Sequence, residues 1–313
     1  MINCNYGLSN TGTGCIALLR ALKGIILVPT WTNGGDLNTI DTTDTLDKAY
    51  FDAWVNNADY SARMYPLPSM KNVSNDRAES LKEGFEDGTQ VIIQQAVRKF
   101  SGIIVDKDAS PVLQGKLLSF RNMDVSFYGI DKDENLIGVR DQTTTTNLNP
   151  IRLDANTFDA IFNGGTDKAT QKLMVSFDVH QDEVDSELQA ITLAERGGFK
   201  MASLRGLLDV SATFTSPLHA GTFTVQLNTE YGSIINPLTV KGMVKADFAL
   251  YNVTDSASIT ITSVTEQTDA NGRPTGVYDF VFPSQTASDV VKLTPTYTGY
   301  DFAKVIAARV TLV

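Results

Sequence analysis

RAESLKEGFEDGTQVIIQQAVRKF, residues 77–100, holds enough good helix formers to pass for one amphipathic helix. Two glycines decide otherwise. An interior Gly costs about 1 kcal/mol relative to Ala in a helix, and Gly84 and Gly88 both fall inside the stretch. Asp87-Gly88 flanked by strand-like runs is a strong hairpin signal, because Gly supplies the positive φ of a tight turn and Asp bonds its own backbone. The stretch predicts two paired strands turning at Asp87-Gly88, and a chain of mainly β class.

Further strand-like runs follow at 102–105, 124–130, 136–140 and 173–179. Asp131-Lys132-Asp133-Glu134-Asn135 is a polar loop between two of them, which predicts a second hairpin. Helices are few and short. Leu46, Tyr50, Phe51 and Trp54 recur at helical spacing within 45–55, Ser110-Pro111 opens a capped helix over 112–120, and 183–194 is a third candidate. Residues 30–65 are long and polar with isolated Trp31 and Trp54. They form either a loop that contacts a neighbouring molecule or a surface excursion packed on their own domain. The Thr-rich stretch 142–149 predicts a mobile polar loop.

At 313 residues the chain exceeds one average core, so two domains are expected. Charge and composition place the boundary near Asp209. Six Lys or Arg and eight Asp or Glu fall in 210–313; of the totals of 26 and 36, this leaves 20 and 28 to residues 1–209, a net −2 against −8. The C-terminal part is also rich in Thr and Val, whose stiff β-branched side chains suit a pleated surface. Alternating runs recur there at 222–227, 246–251, 258–264, 277–282, 290–293 and 304–313, with Asn271-Gly272-Arg273-Pro274 as a turn between two of them. About 100 residues with some seven strands is the size of an immunoglobulin-like sandwich, here without the disulfide and buried Trp of antibody domains.

Several function classes are disfavoured. The formal charge of −10 argues against a protein that grips phosphate backbones. The longest apolar stretch, 16–29, is broken by Arg20, Lys23 and Gly24, so no membrane span is expected. Met1 to Tyr6 carries no basic stretch followed by an apolar one, and the expectation is a protein made and used without Sec export. Cys4 and Cys15 make no disulfide framework and are read as reduced thiols.

The chemistry-bearing residues form no constellation. His180 and His219 stand far apart with no Cys or HExxH beside them, which leaves zinc without a ligand set. Asp131, Asp133 and Asn135 mimic the opening of a calcium loop, yet Leu136 replaces its bend Gly and Gln142 its bidentate Glu. Gly12 and Gly14 hint at a phosphate loop, but no Lys-Ser or Lys-Thr follows, and a flexible N-terminal arm is the expectation. The reading is of a non-enzyme with no cofactor and no metal.

The order of features from Tyr65-Pro66-Leu67-Pro68 through Arg77-Ala78-Glu79-Ser80, Glu83-Gly84-Phe85-Glu86-Asp87-Gly88-Thr89, Arg98-Lys99-Phe100, the helix around 113–118, Phe127-Tyr128-Gly129-Ile130-Asp131 and Leu204-Arg205-Gly206-Leu207-Leu208-Asp209 resembles a bacteriophage tail tube protein. The resemblance spans about 60–209, and an appended immunoglobulin-like domain is familiar in that family. It implies a tail-tube-like β-barrel or sandwich with a short flanking helix over 1–209, then the immunoglobulin-like sandwich over 210–313. It also implies hexameric rings that join sheets between subunits and stack into a tube, with assembly in the host bacterial cytoplasm and a final place in the virion tail. Partners would be copies of the chain itself, other tail proteins, double-stranded DNA passing through without specific binding, and host-surface glycans at the second domain. Glu83, Glu86 and Asp87 at the hairpin tip would face the channel or the next ring. The acidity of 1–209 suits a lumen that repels phosphates, and equally an ordinary soluble domain. The alternatives are another virion component (capsid, neck or baseplate) and a sugar-binding surface protein.

Overall fold

The computed structural model describes residues 20–232 and 237–313. Cys4, Cys15 and the Gly12/Gly14 stretch lie outside the described residues. The protein is mainly β, 45% strand against 14% helix, with several antiparallel sheets that include a curled half-barrel. The chain divides into two compact units, Met1–Gly206 and Leu207–Val313.

In the first unit one sheet contains β1 (Leu22–Pro29), β2 (Ile40–Asp41), β3 (Tyr65–Pro66), β8 (Val125–Asp131), β9 (Leu136–Arg140) and β10 (Asn147–Asn149), in the order β2-β10-β9-β8-β1-β3. Off this path, β11 (Ile151–Arg152) pairs with β8 and β14 (Leu188–Ile191) with β9. A second sheet runs β12-β13-β7-β4, from β4 (Lys71–Arg77), β7 (Arg98–Val105), β12 (Asp159–Asn163) and β13 (Lys172–Asp178). A two-stranded sheet pairs β5 (Leu81–Gly84) with β6 (Gln90–Gln94). Among its described residues the unit also has two α-helices, α1 (Lys48–Val55) and α2 (Pro111–Leu118).

Alternation explains the core. Ile25, Leu27, Val125 and Phe127 project from one face of β1 and β8 and join Phe100, Ile104, Leu173 and Phe177 from the second sheet. Phe177 stacks on Phe100 at 4.7 Å and meets Phe127 at 5.0 Å, offset and tilted geometries that aromatic quadrupoles favour. The intervening residues Ile26, Val28, Ser126 and Tyr128 are buried as well, so β1 and β8 are covered on both faces. The Tyr128 hydroxyl reaches the carbonyls of Asn38 and Leu148, both at 3.0 Å. Residues 30–65 are thus a packed excursion on their own unit, with Leu46, Phe51, Val55 and Met64 buried. Asp47 caps α1 and Ser110 caps α2, each accepting a backbone N–H of the first turn.

Two expectations need correcting in this unit. The candidate helix 183–194 is a 3-10 turn, Asp185–Glu187, followed by strand β14, because pairing with β9 satisfies more backbone groups than a short unanchored helix would. Thr-rich 142–149 ends in a strand, β10, which pairs with β9 and β2. The polar loop 131–135 joins β8 to β9 as expected, but Asp131 is fully buried and Glu134 nearly so. Asp131 accepts the N–H groups of Asp133 and Asn135 at 2.8 Å each, the turn chemistry that had mimicked a calcium loop.

The second unit has β15 (Leu208–His219), β16 (Thr222–Gly232), β17 (Pro237–Thr239), β18 (Phe248–Asn252), β19 (Ala257–Ile259), β20 (Ser263–Thr268), β21 (Pro274–Val281), β22 (Val290–Pro295), β23 (Tyr300–Asp301), β24 (Val310–Thr311) and the short helix α3 (Ala303–Ala307). One sheet runs β20-β21-β16-β15-β23 with β17 beside β16; the other runs β19-β18-β22-β24. Phe223, Phe280 and Phe248 from the two sheets meet in one core, at 4.9 and 5.0 Å from the Phe280 ring. The run 258–264 is two strands instead of one, β19 and β20. The run 304–313 is largely α3 plus the two residues of β24, since Val305 buries from a helical turn. β15 begins before Asp209, where the composition shift had put the boundary.

Candidate assembly interface

The hairpin read from Asp87-Gly88 is present and stands apart. Gly88 takes φ +81, and Asp87 accepts both the N–H and the hydroxyl of Thr89, at 2.9 and 2.6 Å. Those hydrogen bonds lower the Asp87 carboxyl below its ordinary value and keep it charged. Register pairs Lys82 with Ile92, Glu83 with Val91 and Gly84 with Gln90, with an irregularity between Leu81 and Lys82. Glu83 therefore lies in β5 and Glu86 and Asp87 in the turn, all three exposed.

The apolar residues are the unexpected part. Leu81, Phe85, Val91, Ile92 and Ile93 are between 49% and 61% exposed, and every residue of β5 and β6 is exposed. Val91 and Ile92 are adjacent in a strand and so point to opposite faces. Both faces of the hairpin thus offer apolar surface to water. A lone two-stranded hairpin is marginal in water, and flat apolar edges are templates for pairing with another chain. Exposed apolar side chains gathered on both faces of one hairpin mark an interaction surface.

The base of the hairpin is held by charge. β4 and β7 pair below it, Asp76 with Lys99 and Arg77 with Arg98. Arg77 and Arg98 each reach Asp185 at 2.8 Å, and Arg77 also donates to the carbonyl of Ala96. Two guanidiniums share one carboxylate, which leaves a surplus positive charge. Partial burial raises the Asp185 carboxyl, but hydrogen bonds and charge from Arg77 and Arg98 outweigh it and hold the pKa below its ordinary 3.8. A depressed carboxyl adds stability that is fully present above the unfolded value and is lost as pH falls through the folded one. Asp185→Asn is therefore expected to lower the unfolding midpoint at neutral pH by a modest amount, the side chain being 47% exposed. In a pH series of denaturation curves the gap to the wild type should stay constant down to about pH 4 and close below it. A gap that persists at pH 2 would show that the ion pairs do not carry the effect.

Beside this base, an open cleft of about 440 Å³ lies between the two sheets, with Leu22, Ile137, Ile151 and Leu188 as apolar lining and Arg20, Asn75 and Arg98 among its polar groups. Among the described residues, buried Asn75 Oδ1 and Arg98 Nε have no hydrogen-bond partner. Sequence reasoning had no signal for the cleft, because it joins seven strands far apart in the chain.

Elsewhere the chemistry is sparse. His180 Nδ1 accepts the N–H of Asp182 at 3.3 Å, and among the described residues no three His, Cys, Asp or Glu side chains are grouped to hold a metal ion. No helix among the described residues is long and apolar enough to cross a membrane. Comparison with models of known protein families found no match, and comparison with the curated proteins found none either.

Proposed function

We propose that the chain is a structural subunit that assembles with copies of itself, that the β5–β6 hairpin is its assembly element, and that the assembly is a tube of stacked rings of the phage tail-tube kind. The observation that carries this reading is the exposed apolar hairpin, whose two faces no element among the described residues covers. Identical surfaces repeated on identical chains produce closed rings or open filaments, according to whether the rotation between them closes.

The architecture supports the finer reading. A curled sheet backed by a second sheet, with α2 at the side, fits a tube-type β domain; two sheets sharing one phenylalanine core fit an immunoglobulin-like sandwich. In that reading the rings sit in a virion tail, DNA passes through without specific contacts, and the second unit faces outward toward other tail proteins or host glycans.

Negative-stain imaging with mass measurement over a concentration series tests it. Rings or hollow filaments are the expected result. Closed shells would point to a capsid component, and a strict monomer at every concentration would end the self-assembly reading.

A further inference from the structure

The cleft at the base of the hairpin and the tip of the hairpin are complementary in two respects. The cleft has an apolar floor from Leu22, Ile137, Ile151 and Leu188, and the tip carries one large exposed apolar side chain, Phe85. The cleft's surplus charge is positive: Arg98 in its lining and Arg77 beside it share the single carboxylate of Asp185, while Arg20 is balanced by its ion pair with Asp133 at 3.2 Å; Glu83, Glu86 and Asp87 by contrast surround Phe85 with Lys82 in opposition.

The tip does not occupy its own cleft, for none of residues 78–96 lines it. On the reading that the chain self-assembles, we propose that the cleft between the two sheets of the first unit receives the Phe85–Asp87 tip of a second copy, with Phe85 against the apolar floor and Glu86 and Asp87 at the arginine rim. Tip and cleft are different patches, so the contact is head-to-tail and propagates from copy to copy. A single aromatic anchor in an apolar pocket ringed by charge is the usual anatomy of a hot spot.

Two predictions separate this contact from self-assembly in general. Phe85→Ala should weaken association at least 10-fold without moving the unfolding midpoint, since Phe85 is half exposed in the isolated chain. The decisive experiment mixes two full-length chains in a background of Cys4→Ser and Cys15→Ser. One carries Glu86→Cys and the other Arg20→Cys, and a short bis-maleimide is added. The expected result is a covalent dimer formed in the mixture at least 10-fold more than in either chain alone. Dimers of Glu86→Cys with itself, or no dimer, overturn the proposal. If the same unlinked samples still show rings or tubes, the hairpin docks elsewhere and self-assembly stands; if they are monomeric, both readings fall. A chain with native Cys15 and Leu188→Cys that links within itself assigns the cleft to its own N-terminal residues, and that outcome also overturns the proposal.

Discussion

A chain carrying Val91→Lys and Ile92→Lys is expected to stay monomeric at concentrations where the wild type assembles. Fully burying one such aliphatic or aromatic side chain stabilises by about 1.5–3 kcal/mol. The five apolar residues of the hairpin already hide about half their surface, so covering them gains on the order of 5 kcal/mol. Association removes at least about 4 kcal/mol of translational and rotational freedom. One hairpin contact is therefore weak by itself, and repeated contacts within a closed ring make it effective. Placing an ammonium on each face removes two of the five anchors and adds the desolvation of two charges. A loss of about 2 kcal/mol per contact, roughly 30-fold in affinity, is the minimum effect. Stability should barely change, because substitutions at exposed positions usually stay within about 0.5 kcal/mol. Sedimentation velocity over a concentration series reads the first effect and thermal unfolding the second. Unchanged assembly in this variant would remove the hairpin from the interface.

The contrast between what the sequence disclosed and what it withheld follows from the range of the interactions. Asp87-Gly88 was legible because a turn is a local matter, settled by one glycine at positive φ and one carboxylate that accepts the N–H two residues on. Ser110-Pro111 and the spacing of Phe51 and Trp54 announced α2 and α1 for the same reason. Glu183 to Ala194 misled because its local preference was overruled by the free edge of β9, and 304–313 because its alternation also fits the short helix α3. That the hairpin stands alone was beyond sequence reading. Ile92 and Ile93 look like core residues, and only the absence of a covering element makes them a surface. Glu83, Glu86 and Asp87 were singled out for their charge, and the structure adds that Phe85 among them is the large apolar group.

The least legible feature is also the one whose removal should cost most stability. Arg196→Ala is expected to destabilise the first unit by about 3 kcal/mol or more. Arg196 is fully buried, and its guanidinium donates to the carbonyls of Glu134 and Phe199. Burial pulls its pKa down to about 10 against the opposing charges of Glu134, Asp131 and Glu195, so it remains a cation at neutral pH. Glu134 in turn pairs with Lys23, accepts the N–H of Ala202 and holds φ +67, a conformation that a non-glycine residue keeps only under constraint. One arginine thus ties the segment 192–206 to the β8–β9 turn and to the start of β1. Alanine in its place leaves the buried Glu134 carbonyl and the half-buried Phe199 carbonyl without donors, unbalances the acidic neighbours and opens a cavity. Arg196→Met refills most of the volume but restores no hydrogen bond, so it should recover part of the loss, and the remainder is the electrostatic share. Trp31 and Trp54 are the chain's two tryptophans and both lie in the first unit, which makes urea unfolding followed by tryptophan fluorescence a readout of that unit alone. A loss below about 1 kcal/mol for Arg196→Ala would mean that packing around the turn holds the segment without the charge.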